Sequence, residues 1–318
     1  MSRSSSPTSS LNIYTAIEEN RRKTALFIAA FVLLIGLIAF AVGIVLGLPV
    51  APAGVVSLVL TAFALLLALW LYRASDRIVL GISEAREAKR QEHLELYRTV
   101  ENISIAAGIP MPKVYIINDT APNAFATGRD PAHASVAVTT GLLQKLSKLE
   151  LEGVIAHEIS HIRNFDTRLM VMVAVFVGFI AVLADVMLRY TWYGAGRRTR
   201  YKGKGEGSAG AVVLVLAIVA LILAPIAAQV IQFAIARQRE FLADASSALL
   251  TRYPAGLAGA LEKITNDTEP LEVATKGTAH LYIANPIKGQ ESSMNNLFAT
   301  HPPIKERVAR LRAMASAA

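Results

Sequence analysis

Residues 24–48 and 50–72 are two apolar runs that contain no charged side chain, and Pro49 and Pro52 fall in the short stretch "GLPVAP" where one gives way to the other. A helix that crosses the hydrocarbon of a bilayer needs about 20 mainly apolar residues. Both runs meet that length, and the prolines set a sharp turn between them, so the pair reads as a transmembrane hairpin. Two more runs, 169–188 and 211–236, flank the polar, glycine-rich "YTWYGAGRRTRYKGKGEGSAG" and read as a second hairpin. With 53% hydrophobic and 18% charged residues, the 318-residue chain is too apolar for an ordinary soluble enzyme.

The expected fold class is therefore a mainly α integral membrane protein with a small β element. It has about four transmembrane or membrane-embedded helices and a polar catalytic domain in two parts. Residues 1–23 open on the serine-rich "MSRSSSPTSS" and read as a disordered tail. The first hairpin is 24–72, too long and too closely followed by a second run for a cleaved signal peptide. The polar domain's first part is 73–168, the second hairpin 169–236, and the second part 237–318. Within the first part "ISEAREAKRQEHLELYRTVENISIAAGI" has helical apolar spacing, "KVYII" and "ASVAVTT" look like strands, and "LLQKLSKLELEGVIAHEISHIRNF" returns to helix. After the second hairpin "ARQREFLADASSALL", "AGLAGALEKI" and "THPPIKERVARLRAMA" read as helices.

The net charge of +8 does not point to nucleic acid, because the basic residues flank apolar runs and form no stripe with aromatics between them. Arg21, Arg22, Lys23, Arg73, Arg77, Arg163, Arg168, Arg237 and Arg239 share one side if every run spans, which makes the polar domain cytoplasmic by the positive-inside rule. The localisation expected is thus a multi-pass protein of the plasma or inner membrane. One loop disagrees: Arg189, Arg197, Arg198, Arg200, Lys202 and Lys204 would lie outside, so the second hairpin is open to a shallow, non-spanning reading. The chain has no cysteine, so any metal must be held by nitrogen and oxygen.

The stretch "VIAHEISHIRNFD" carries an HExxH pattern. On a helix His157 and His161 lie one turn apart on one face, where two neutral imidazoles can point at one ion. Glu158 is turned about 100° away, from where it can reach a water on that ion. This suits one Zn²⁺ per chain with an open position, the zinc lowering the water's pKa and the carboxylate accepting its proton. Two solvated histidines on a surface helix are the competing reading, and the motif alone does not choose.

A catalytic zinc usually has three protein ligands. A hairpin returns to the side it left, and helical rise places Glu240 at about the depth of His161. Glu240 is the candidate third ligand, against a solvated charge beside Arg237 and Arg239, with Asp244 or His301 next in line. Asp244, four residues on, shares its face and could orient a histidine. "PNAFATG" and "ASVAVTTG" either form a structural hairpin or set a strand edge beside the metal, with Asn123 and Ala124 against an extended substrate. His301 either stabilises an oxyanion there or caps and packs. His93 and His133 read as surface histidines, Asp185 as an interfacial partner of Arg189, and His280 and Asn285 have no assigned mechanism.

Taken together, "AHEISHIRNFD", "RQREFLADASSALL", "PNAFATGRDPAHASVAVTTGLL", "AHLYIANP" and "THPPIKERVARL" resemble the HtpX-type membrane zinc metalloproteases, with similar intervening hairpins and over nearly the whole chain after the tail. The resemblance implies a gluzincin-like site with His157, His161 and Glu240 on zinc, Glu158 as general base and Asp244 behind a ligand. It also implies an endopeptidase acting on membrane proteins or extended polypeptides, in a quality-control role. A CaaX prenyl-protein endoprotease, which usually has more transmembrane helices, is the rival enzyme. A non-catalytic scaffold stabilised by zinc is the rival from another class, and Glu158 speaks against it because a structural site needs no base. Oligomeric state leaves no mark in the sequence.

Overall fold

A computed structural model describes residues 48–170, 237–275, 278–286 and 302–316, with scattered helical positions between 22 and 40. The N-terminal tail, the second hairpin beyond Met170 with Asp185 and its basic loop, and His301 lie outside the described residues.

Helix α1, Val50–Ile82, starts directly after Pro49, whose fixed φ suits a helix entrance, and runs past the end of the apolar stretch without a break. The polar domain therefore hangs on a continuous helix, ten residues beyond the boundary expected at residue 72. Ser57 Oγ donates to the Gly36 carbonyl at 2.8 Å, tying the two arms of the first hairpin. Val55, Leu58, Phe63, Leu66 and Trp70 are all at least 60% exposed, a surface that water does not favour. Counted over the described side chains, no helix is long and apolar enough to cross a membrane. The sequence from 50 to 72 is nonetheless uncharged.

After α1 the chain turns at Ser83–Glu84, Glu84 taking a positive φ of 50°. A two-residue strand β1, Arg86–Glu87, then precedes helix α2, Leu94–Ala107. The helical spacing read across 82–109 is thus realised only from Leu94 onward, because Arg86 and Glu87 pair with the next strand instead. Strands β2, Lys113–Ile117, β3, Ala124–Gly128, and β4, Ala134–Thr139, complete a sheet ordered β1-β2-β4-β3. The β2–β4 pair is parallel and β3 runs antiparallel on the far edge, with Phe125 opposite Ala137 and Ala126 opposite Val136.

The expected long helix after the sheet is split at Leu146–Ser147 into α3, Thr140–Lys145, and α4, Lys148–Arg163. Glu150 makes the second start: its carboxylate accepts from the Ser147 N–H and O–H at 2.7 and 2.8 Å, and Lys263 Nζ lies 2.7 Å away. Helices α5, Arg237–Thr251, α6, Pro254–Asn266, and α7, Ile304–Ser316, follow. Helix α4 is buried along almost its whole length, since one side meets the sheet and the other meets α5 and α6. Gly153 permits the α4–α6 approach: a Cβ there would sit 2.6 Å from the backbone nitrogen of Leu257. On the opposite face of the sheet Phe125, Ala137 and Ile117 pack against Val79 and Leu80 at the base of α1 and against Leu281 and Tyr282.

Candidate metal centre

Helix α4 carries His157, Glu158 and His161, all buried, and α5 brings Glu240 to them. His157 Nε2 and His161 Nε2 are 3.1 Å apart, while Glu240 Oε2 and Oε1 lie 3.7 and 3.5 Å from those two nitrogens. Zinc bonds of about 2.0–2.2 Å at tetrahedral angles put ligand atoms about 3.4 Å apart, so the donor set fits one such ion. Among the described residues these three form a group whose ligand atoms all lie within 4.8 Å of one another.

The far nitrogens of both rings face carboxylates. His157 Nδ1 is 3.0 Å from Asp244 Oδ1, and His161 Nδ1 is 3.0 Å from Asp166 Oδ2. An N–H given to a carboxylate at Nδ1 leaves the lone pair at Nε2, which is the tautomer a metal requires. Asp244 sits where the sequence suggested. Asp166 was not anticipated: α4 ends at Arg163, Phe165 takes a positive φ of 59°, and the chain folds back so that Asp166 lies on His161.

Arg307 was also not foreseen. It is 0% exposed on α7, with Nε and Nη2 at 2.9 and 2.7 Å from the two oxygens of Asp244 and Nη1 3.2 Å from Glu240 Oε2. Its guanidinium compensates a buried cluster of acids that would otherwise stay uncharged or expel one another.

Burial pushes the Glu158 carboxyl up to about 7, with the nearby Glu240 adding to the rise, while His161 and the Ala126 backbone pull the other way. A carboxylate poised there exchanges protons near neutrality. Burial also drives His157 down, to about 4, against the pull of Asp244. For His161 burial is outweighed by Asp166, Glu240 and Glu158 together, which raise it to about 9. The two Nε2 atoms lie 3.1 Å apart, and a divalent ion bound between them would displace any proton there.

Sequence comparison bears on this cluster directly. Residues 90–315 match the model of peptidase family M48, a span that takes in strands β2 to β4 and every residue of the cluster. The chain belongs to peptidase family M48. This M48 chain is 48% identical to a protease HtpX homolog of Dictyoglomus thermophilum, over 95% of its own length and 94% of the relative's. It is 47% identical to one of Thermoanaerobacter pseudethanolicus, over 95% and 98%, and 43% identical to one of Listeria monocytogenes, over 95% and 100%. The HtpX resemblance read from the sequence is thereby borne out, and the chain is a metalloprotease. A crystal structure of S. mikatae Ste24p aligns over 79% of this M48 chain and 57% of its own, with a TM-score of 0.46 and 16% identity.

Of the remaining residues singled out in the sequence, Asn123 and Ala124 are buried at the head of β3. His133 is exposed and paired with Asp130 at 2.7 Å. His280 is buried, with Nε2 3.0 Å from the Met170 carbonyl oxygen. A small cavity of about 10 Å³, the size of about one water, separates His157, Glu158, His161 and Glu240 from Ala126, Met170 and residues 281–283.

Proposed function

We propose that this M48 peptidase is a zinc-dependent endopeptidase of the bacterial plasma or inner membrane, with its catalytic domain on the cytoplasmic side and one zinc held by His157, His161 and Glu240. The observation that carries the metal assignment is the convergence of two imidazole Nε2 atoms and one carboxylate, each imidazole braced from behind by an aspartate. The membrane placement is supported by the uncharged run within α1, its exposed apolar side chains and the basic residues that follow it.

A zinc ion bound here supplies Lewis acidity toward a peptide carbonyl and lowers the pKa of a water. Glu158 is the general base: its carboxylate takes a proton from the attacking water and hands it to the departing amine. Ala126 of β3 and Glu158 line the same cavity. Asp244 and Asp166 hold the imidazoles, and Arg307 keeps the neighbouring carboxylates ionised. Substrates are membrane proteins or extended polypeptides, a quality-control role supported by the HtpX relatives.

The test is cleavage of an unfolded protein by the full chain, purified in detergent with zinc, with and without chelator, and with Glu158→Gln beside wild type. Chelator-sensitive cleavage that Glu158→Gln lacks while retaining its zinc is the expected result. Cleavage indifferent to the chelator, or undiminished in Glu158→Gln, would overturn the reading.

A further inference from the structure

The segment that lines the cavity at residues 281–283 is bonded to the head of β3. Tyr282 forms an antiparallel bridge with Phe125, and the Ile283 N–H donates to the Ala124 carbonyl at 2.9 Å. Asn123 Nδ2 donates to the Ala284 carbonyl at 3.2 Å, and Arg307 Nη1 donates to the Ile283 carbonyl at 3.2 Å. A short stretch of the chain, Tyr282 to Ala284, which follows the 3-10 turn Ala279–Leu281, therefore lies against the head of β3 and takes up the two residues, Asn123 and Ala124, that the sequence offered to a substrate.

Leu281, Tyr282 and Ile283 line the cavity together with His157, Glu158, His161 and Glu240, so the same stretch that bonds to β3 also borders the metal cluster. Ala126, two residues further along the same strand, lines the cavity with Glu158. The groups that align an extended chain with the site thus form one edge, whose N-terminal part is already taken.

We propose that residues 282–284, bridged to β3 through Tyr282, act as an internal plug that keeps the cleft shut, and that an extended polypeptide gains the site by displacing them from β3 and adding in their place. Strand addition supplies the exchange: the Asn123 side-chain amide and the Ala124 carbonyl freed by the departing segment are re-satisfied by the substrate backbone, so the opening costs little hydrogen bonding on the β3 side. The segment's other ties set its hold. Tyr282 Oη donates to Ser83 Oγ at 3.1 Å, just past the end of α1, Tyr282 stacks edge-on against Phe125 with centroids 5.1 Å apart, and His280 meets the Met170 carbonyl. The outer anchors thus sit at Ser83, at the end of α1, and at Met170, at the start of the third apolar run.

This proposal rests on the peptidase reading, and the tests separate the two. The chain has no cysteine, so Phe125→Cys with Tyr282→Cys introduces a single pair at bridged positions, where the Cα separation suits a disulfide. In the full, zinc-loaded protein in detergent, oxidation should lower kcat/KM for an unfolded protein at least tenfold, with zinc content unchanged, and a reductant should reverse it. A locked form that cleaves as fast as its reduced form would overturn the displacement alone, whereas a zinc-loaded wild type that cleaves nothing would overturn the peptidase reading. Wild type gives a second measure that needs no substitution. Amide hydrogen exchange in 278–286 should quicken when an extended peptide hydroxamate saturates the enzyme, because Ile283 loses its acceptor, and exchange that slows or holds constant overturns the displacement.

Discussion

Arg307 grips both carboxylate oxygens of Asp244, at 2.9 and 2.7 Å, from a helix 63 residues further along the chain. Through Asp244 it reaches His157, and through Nη1 it lies 3.2 Å from Glu240. One guanidinium thus joins α7 to the two helices that carry the metal cluster. Breaking a buried pair from one side leaves an uncompensated charge, at a cost of about 3–5 kcal/mol. Arg307→Ala should lose stability on that scale and shed zinc. Arg307→Lys keeps the charge without the fork, so it should recover part of the stability; thermal unfolding with and without zinc measures both.

Asp166→Asn isolates the partner of the other imidazole. The amide can still accept from His161 Nδ1–H but carries no charge to strengthen the ring as a donor. Zinc affinity, read by competition with a chromophoric chelator, should fall by about 10- to 100-fold, the range for loss of a group that orients a ligand. Unchanged affinity would show that Asp166 serves packing alone.

The difference in how Asp166 and Asp244 came to light has a physical basis. His157, Glu158 and His161 were legible because helical spacing alone sets their geometry, and Glu240 with Asp244 because a hairpin must return to the side it left. Asp166 depends on Phe165 adopting a left-handed backbone, which an aromatic residue seldom does, and nothing local announces it. Arg307 did leave a signal: Ile304, Val308 and Leu311 mark the inward face of α7, and Arg307 lies on that face among them. The strands β2 and β4 were readable as apolar runs, whereas β1 is two residues long and the contact of 282–284 with β3 rests on a single bridge, too short for any periodicity.

Gly153→Ala tests whether the cluster depends on the crossing of α4 and α6. The added methyl would meet backbone atoms of Leu257 at 2.6 and 2.9 Å, which cannot swing aside as a side-chain tip can. The same residue's carbonyl accepts from Ser247 Oγ of α5 at 2.8 Å, so a shift of α4 is felt on both sides. Overpacking of this kind costs about 1–3 kcal/mol. The expected outcome is a lower Tm together with weaker zinc retention, since His157 lies one turn further along the helix. An unaltered Tm would mean that the two helices separate without penalty.

The metal-free protein should carry the charge pattern of its centre in its stability against pH. Glu158, raised from 4.5 to about 7, binds a proton on folding, so its contribution is largest below pH 4.5 and is lost as pH rises to 7. His157, lowered from 6.5 to about 4, acts in the opposite sense: the unfolded chain takes up its proton first, so stability drops as pH falls from 6.5 toward 4. Each is of order 3 kcal/mol at full extent, and over pH 4.5–6.5 they offset one another. His161, raised to about 9, gives stability that is complete below pH 6.5 and lost as pH rises to 9. The chelated wild type should therefore show a nearly level Tm on the acid side and a decline on the alkaline side. Glu158→Gln removes one of the two opposing groups and leaves His157 unopposed, so its Tm should now fall on both sides of an optimum near pH 6.5. Melting curves of both proteins at pH 5, 6.5 and 8.5 decide the matter: a Glu158→Gln profile parallel to wild type at all three would show that Glu158 keeps an ordinary carboxyl pKa in the folded chain.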